Sequence, residues 1–193
     1  MSQEHVEKFS PSNRQEWRKW LKKNHQSKDA VWLVYHKKKT AIASISWSDA
    51  VDEALCFGWI DSKGVKIDDE TFKHFFCKRK PKGTWSKINK EKIKSLIDNK
   101  LMMPAGLAVI EAAKQNGSWN ILDEVEELIV PKDLSVAFRK NAGSKAFFMS
   151  LSKSSRKMLL QWIVLAKRPE TRQKRITEIA ESAAQKLKPR QFR

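Results

Sequence analysis

The chain has 193 residues, with 39 Lys and Arg against 22 Asp and Glu, a formal charge of +17 with the histidines neutral. Its 40% hydrophobic content and eight tryptophans exclude a disordered polyelectrolyte, and its six glycines and six prolines exclude a low-complexity chain. The length fits one large domain or a domain with a smaller appendage, and is enough to bury a core.

In chain order, Ser12 or Asn13 is placed to cap a helix running through Lys23, because Trp17, Trp20 and Leu21 recur at spacings of three and four. Val31 to Tyr35 reads as a buried strand, Lys37 to Lys39 as a turn, and Ala41 to Ile45 as a returning strand. Ser46-Trp47-Ser48-Asp49 has capping-box spacing and opens a helix whose stripe is Ala50, Val51, Ala54 and Leu55, closing at Gly58. Trp59 to Val65 and Phe72 to Arg79 read as paired strands. Thr84 or Ser86 starts a helix bearing Ile88, Ile93, Leu96 and Ile97, and Pro104 opens another that ends at Asn116-Gly117. Beyond Pro131 the pattern fits helices over 133–140, 144–150, 152–167 and 169–187. The expected fold class is α+β: a small N-terminal sheet packed with helices, followed by an all-helical C-terminal subdomain.

The charge is unevenly spread. Residues 61–100 carry twelve basic against six acidic side chains and residues 151–193 twelve against three, while residues 101–150 are near balance at five against six. The acidic run Asp123, Glu124, Glu126 and Glu127 in that neutral middle marks the expected junction, between a domain over 1–124 and another over 125–193. A membrane span needs about 20 consecutive apolar residues, and the run Val31–Tyr35 is far shorter. The amino terminus has neither the basic start nor the apolar run of a secretory signal, which points to the cytoplasm. Cys56 and Cys77 form no CxxC, and His5, His25, His36 and His74 show no HExxH or other ligand spacing, so neither disulfide nor metal site is expected. The glycine-rich phosphate loops GxGxxG and GxxxxGKS/T are absent, and no cofactor is expected.

Three constellations carry possible chemistry. Cys56, Trp59 and Asp61 lie in one helix-to-strand corner, where side chains on rigid supports often converge on a pocket. Cys56 is also readable as a small buried hydrophobe, and Asp61, shielded by Trp59 and Ile60, needs a cationic or hydrogen-bonding partner or a ligand. The strand from Phe72 puts Phe72, His74, Phe76 and Lys78 on one face and Lys73, Phe75, Cys77 and Arg79 on the other. That interleaving suits a nucleic-acid platform as well as a half-buried strand, and Lys78, Arg79, Lys80 and Lys82 extend it as anion-binding candidates. Lys167, Arg168 and Arg175 form a second basic segment. On the same helix Arg172 falls within the apolar arc of Ile176, Ile179 and Ala183, so it demands a carboxylate of the first part or an anionic ligand.

Four stretches resemble one family. Ala54-Leu55-Cys56-Phe57-Gly58-Trp59-Ile60-Asp61, Trp85-Ser86-Lys87-Ile88-Asn89, Met103-Pro104-Ala105-Gly106 and Ala166-Lys167-Arg168-Pro169-Glu170-Thr171-Arg172 with Lys174-Arg175-Ile176 are similar to the YdeI/OmpD-associated proteins, whose C-terminal region is named for bacteriocin protection. Where members tend to read Arg-Phe-x-Pro-Arg, this chain has Phe75-Phe76-Cys77-Lys78-Arg79, matching at Phe76 and Arg79. The resemblance implies a YdeI-like first domain, an OmdA-like second domain and a role in bacteriocin or antimicrobial-peptide stress; it brings no catalytic residue.

Two functions follow from the sequence. The first is a non-catalytic cytoplasmic binding protein that meets an anionic partner, nucleic acid foremost, through Lys78–Lys82 and Lys167–Arg175. The alternative is an enzyme or small-ligand receptor with a pocket formed by Cys56, Trp59, Asp61, Trp85, Asn89 and Arg172.

Overall fold

The computed structural model describes residues 5–193; the stretch 1–4, read above for a leader, lies outside them. The chain divides into two compact units, Met1–Gly83 with Ile88–Trp119 and Thr84–Lys87 with Asn120–Arg193. The fold is α+β, with one sheet in the N-terminal region and helices dominating the C-terminal part.

The first unit contains β1 (Lys8–Phe9), α1 (Arg14–Asn24), β2 (Ala30–His36), α2 (Trp47–Cys56), β3 (Trp59–Lys66), β4 (Thr71–Lys78), all but the first residue of α3 (Lys87–Asp98), and α4 (Pro104–Gln115). Its sheet has the order β1-β2-β4-β3, with β1 parallel to β2 and the other pairs antiparallel. Val31 lies opposite Phe76, Leu33 opposite His74 and Tyr35 opposite Phe72, so these six side chains share one face. Aromatic rings from α1 cover it: Trp17 meets Phe76 edge-on at 5.6 Å, stacks on Trp20 at 5.1 Å, and Trp20 meets Trp59 edge-on at 5.8 Å.

Local chemistry sets the helix starts. The Asn13 side chain accepts the Glu16 N–H at α1, and the Ser46 hydroxyl accepts the Asp49 N–H at α2. Helix α1 is then fastened to α2 by charge. Glu53, 2% exposed, receives Arg14 and Arg18, the latter at 2.6 Å. Arg18 also donates to the Leu101 carbonyl at 2.7 Å. A buried lone carboxylate would be strongly disfavoured, so the two guanidinium groups are a condition of this packing. Farther along, the first turn of α4 lies on the end of α2. A Cβ on Gly106 would overlap the Cys56 carbonyl, so only glycine permits the approach.

The expected strand over Ala41–Ile45 does not form. Both edges of β2 are already taken, by β1 and β4, and the segment folds back instead: Ser44 Oγ accepts the His36 N–H at 3.1 Å, and Ala41 turns at φ 56°. The two-residue β1, unmarked by any periodicity, supplies the outer strand.

The second unit contains α5 (Asp123–Glu126), α6 (Lys132–Lys140), α7 (Ser144–Ser150), α8 (Lys153–Val164) and α9 (Pro169–Ala184). Leu134, Phe138, Phe148, Leu160, Ile163, Ile176 and Ile179 form its core, with the Phe138 and Phe148 rings 5.2 Å apart. The acidic run read as a junction folds as α5, where Glu126 pairs with Lys157 of α8 at 2.5 Å.

Replacing Arg14 and Arg18 together by alanine leaves Glu53 buried without a counterion, and we expect a loss of about 3–5 kcal/mol in denaturant unfolding. A loss no greater than that from breaking the exposed Lys66–Asp69 pair would contradict the clamp. The hydrogen bond from Lys157 holds the Glu126 carboxyl below the ordinary value of 4.5. This stabilisation is complete above that value and is lost as pH falls through the lower folded-state pKa. The Tm gap between wild type and Glu126→Gln should therefore be widest at neutral pH and close as the pH falls below the ordinary carboxyl value; a gap independent of pH would refute the assignment.

Candidate functional site

The helix-to-strand corner divides into a sealed half and a polar half. Cys56 and Trp59 are fully buried. The Trp59 indole donates to the His25 carbonyl at 3.3 Å, and burial pushes the Cys56 thiol up to about 11 against the opposing effect of Arg18. A buried thiol held protonated is a packing group rather than a nucleophile.

Asp61 faces a different environment. Its carboxylate, 16% exposed, accepts the Trp47 indole N–H at 2.9 Å, and His74 Nδ1 lies 3.7 Å from the same oxygen. A bulge in β3 between Asp61 and Gly64 brings Gly64 opposite His74. The missing side chain at Gly64 makes room for the imidazole, whose Nε2 would lie 2.8 Å from a Cβ there. Tyr35 and Phe72 meet His74 edge-on at 5.7 and 5.8 Å, and Trp47 lies 5.7 Å away at a tilt. The hydroxyl of Tyr35 and Nδ1 of His74 are both buried and have no hydrogen-bond partner among the described residues. Burial, reinforced by the charge of Asp61, pushes the Tyr35 hydroxyl up, so it remains a neutral phenol. Trp47, at 51% exposure, is the part of this cluster most open to solvent.

The six pocket candidates are distributed over the two units. Cys56, Trp59, Asp61 and Asn89 belong to the first, while Trp85 and Arg172 belong to the second. Arg172 forms a two-pronged pair with Asp133 of α6, through Nε at 2.8 Å and a terminal nitrogen at 3.2 Å. Its carboxylate thus comes from the same unit, one helix away, and not from the first part of the chain. That pair stands at a groove of about 480 Å³ between α6 and α9, lined by Lys140, Asn141, Gln173 and Thr177.

The basic candidates also differ in fate. Lys78 is committed to Asp29 at 2.9 Å and to the Gln26 carbonyl at 2.8 Å. Burial pulls the Arg79 guanidinium down to about 10, partly offset by Asp61, which marks it as an interior cation. Lys80 and Lys82 are exposed on a turn whose Pro81 carbonyl accepts the Asn116 side-chain amide at 2.8 Å. Arg175 lies over the Trp162 ring at 5.1 Å and donates to the Trp162 carbonyl. Lys167 and Arg168 are exposed at the start of α9 and make no ion pair among the described residues.

Sequence reasoning missed Trp47, Tyr35 and the role of Gly64. The available signal was Trp47 at the first position of a capped helix, where an indole has no core to enter. Among the described residues, no cluster of His, Cys, Asp and Glu could hold a metal ion, and no helix is long and apolar enough to cross a membrane.

Residues 9–109 match the family described as a domain of unknown function (DUF8412), and residues 127–186 match the family described as bacteriocin-protection, YdeI or OmpD-associated. No curated protein and no solved structure matches the chain.

If Cys56 is a packing group, a Cys77→Ser variant should react with a disulfide reagent at pH about 8 only slowly when native, and at the rate of a free thiol once unfolded in guanidinium. Rapid stoichiometric modification of the native variant would show an accessible, activated thiol.

Proposed function

For a chain that belongs to the DUF8412 family and carries the bacteriocin-protection, YdeI or OmpD-associated region, we propose a non-catalytic binding role toward an anionic partner, with nucleic acid the first candidate. The observation that carries it is the fate of the cations. In the second unit Lys87, Lys157 and Arg172 make the ion pairs found among the described residues, while Lys132, Arg139, Lys140, Lys145, Lys153, Lys167, Arg168, Lys174 and Lys186 are exposed without one. Lys167 and Arg168 stand at the amino end of the 16-residue α9, where the helix dipole adds to their charge. A surface with this surplus favours phosphate by releasing counterions. It also repels cationic peptides, so direct capture of such a peptide is the less natural route to protection. The small-ligand reading of the Asp61 corner has less support, because the free polar atoms of Tyr35 and His74 are closed to solvent.

The test is fluorescence anisotropy with short single- and double-stranded DNA and RNA at about 50 and 200 mM salt. Binding should fall steeply with salt, and Lys167→Gln with Arg168→Gln should reduce the logarithmic salt slope by about 0.7–0.9 for each phosphate no longer neutralised. Absent or salt-independent binding rejects the proposal.

A further inference from the structure

Among the described residues, strand β1 is the outermost strand of the sheet and pairs only with β2. Its register fixes where its peptide groups point. Lys8 lies opposite Trp32, and the Trp32 N–H donates to the Glu7 carbonyl at 2.8 Å. In a parallel ladder the residue flanked by the bonded positions turns its own N–H and C=O to the opposite side. Lys8 is that residue, so its N–H and C=O face away from β2, and no described residue hydrogen-bonds to them.

Beside this edge lies an open groove of about 540 Å³ between β1 and α1. Phe9 and Trp20 give it an apolar lining; the two rings stack at 5.9 Å. Helix α1 contributes Glu16, Lys19 and Lys23 at spacings of three and four, hence from one helix face. The charges in the groove are not equally available. Glu7 is paired with Lys28, and Glu16 accepts the Ser12 N–H at 2.8 Å, whereas Lys19 and Lys23 make no ion pair among the described residues. Glu16 keeps its charge while accepting that N–H, so the helix wall carries two cations against one carboxylate, a net positive charge.

The groove is lined by Glu7 and Phe9 on either side of Lys8, and an unpaired strand edge beside such a groove accepts an extended peptide as an added strand, main-chain bonds giving affinity and side-chain pockets giving selectivity. We propose that the β1–α1 groove binds a short acidic peptide segment in extended form, hydrogen-bonded to Lys8 and with its carboxylates on Lys19 and Lys23. This site is separate from the basic surface of the second unit, and either can fail without the other. Because β1 has only two residues, the main-chain contact is confined to Lys8, and selectivity falls to the lysines and the aromatic lining.

The experiment uses the full chain and a fluorescein-labelled peptide of alternating Glu and Val, followed by anisotropy. Two changes remove the main-chain bonds while sparing the charges: N-methylation of the central peptide nitrogens, and Lys8→Pro in the protein, which deletes an N–H that β2 does not use. Each should weaken binding about tenfold. Lys19→Glu with Lys23→Glu should reverse the preference toward a Lys-Val peptide. No binding of the acidic peptide overturns the proposal. So does binding unaffected by N-methylation, which would be surface electrostatics alone, and so does displacement by single-stranded DNA with the same sensitivity to Lys8→Pro, which would make the groove a nucleic-acid site. Should Lys8→Pro disturb the circular dichroism spectrum, the N-methylated peptide still decides on the wild-type protein.

Discussion

The first unit depends on one buried carboxylate. Glu53 sits on the inner face of α2, and its charge is tolerable there only because Arg14 and Arg18 reach it from α1. This pairing sets α1 against α2, and α1 in turn carries Trp17 and Trp20 over the sheet. Arg18 extends the constraint by holding the Leu101 carbonyl, two residues before Met103, whose N–H meets the Cys56 carbonyl at 3.1 Å. From there α4 begins, with Gly106 against the end of α2. One charge group thus orders the layer over the sheet and closes the corner around Cys56.

That closure explains how a corner rich in chemically capable residues can be mostly structural. The thiol is buried and held protonated, and the indole of Trp59 is spent on a backbone carbonyl. What remains polar is pushed to the β3 side, where the bulge and Gly64 let His74 lie close to Asp61. The exposed Trp47 indole holds the Asp61 carboxylate oxygen by a hydrogen bond, whereas the shielded imidazole stops 3.7 Å short of the same atom, within electrostatic range but too far for a hydrogen bond. An aromatic box filled by its own histidine differs from an open pocket in that its ring faces are already occupied.

Much of this architecture was legible from residue spacing. The helix caps at Asn13 and Ser46, the alternation from Phe72 and the glycine stop at Gly58 are local signals, and local signals determine local structure. The failures share another cause: they depend on what the rest of the chain occupies. Ala41 to Ile45 has the composition of a strand, yet no edge beside β2 was free to receive it. Lys8 and Phe9 have no strand pattern, yet they are the residues that pair with that edge. Arg172 was readable as a cation needing a carboxylate, whereas its partner, Asp133, became identifiable only once α6 and α9 lay side by side.

The same distinction governs the charge. Lys78, Arg79, Lys80 and Lys82 form one basic cluster in sequence, yet they separate into a paired lysine, a buried arginine and two exposed lysines on an anchored turn. Strand alternation and a tight turn impose that separation, so a basic run does not by itself measure the charge a partner would meet. In the second unit Glu127, Glu126 and Asp133 pair with Lys87, Lys157 and Arg172, and most of the remaining cations are exposed. A surplus of this kind keeps a protein soluble whatever its function. Within α9 itself Glu170, Glu178 and Glu181 balance Arg172, Lys174 and Arg175, so the surplus is not a property of the helix as a whole but is concentrated at its amino end, where Lys167 and Arg168 add to the positive pole of the dipole.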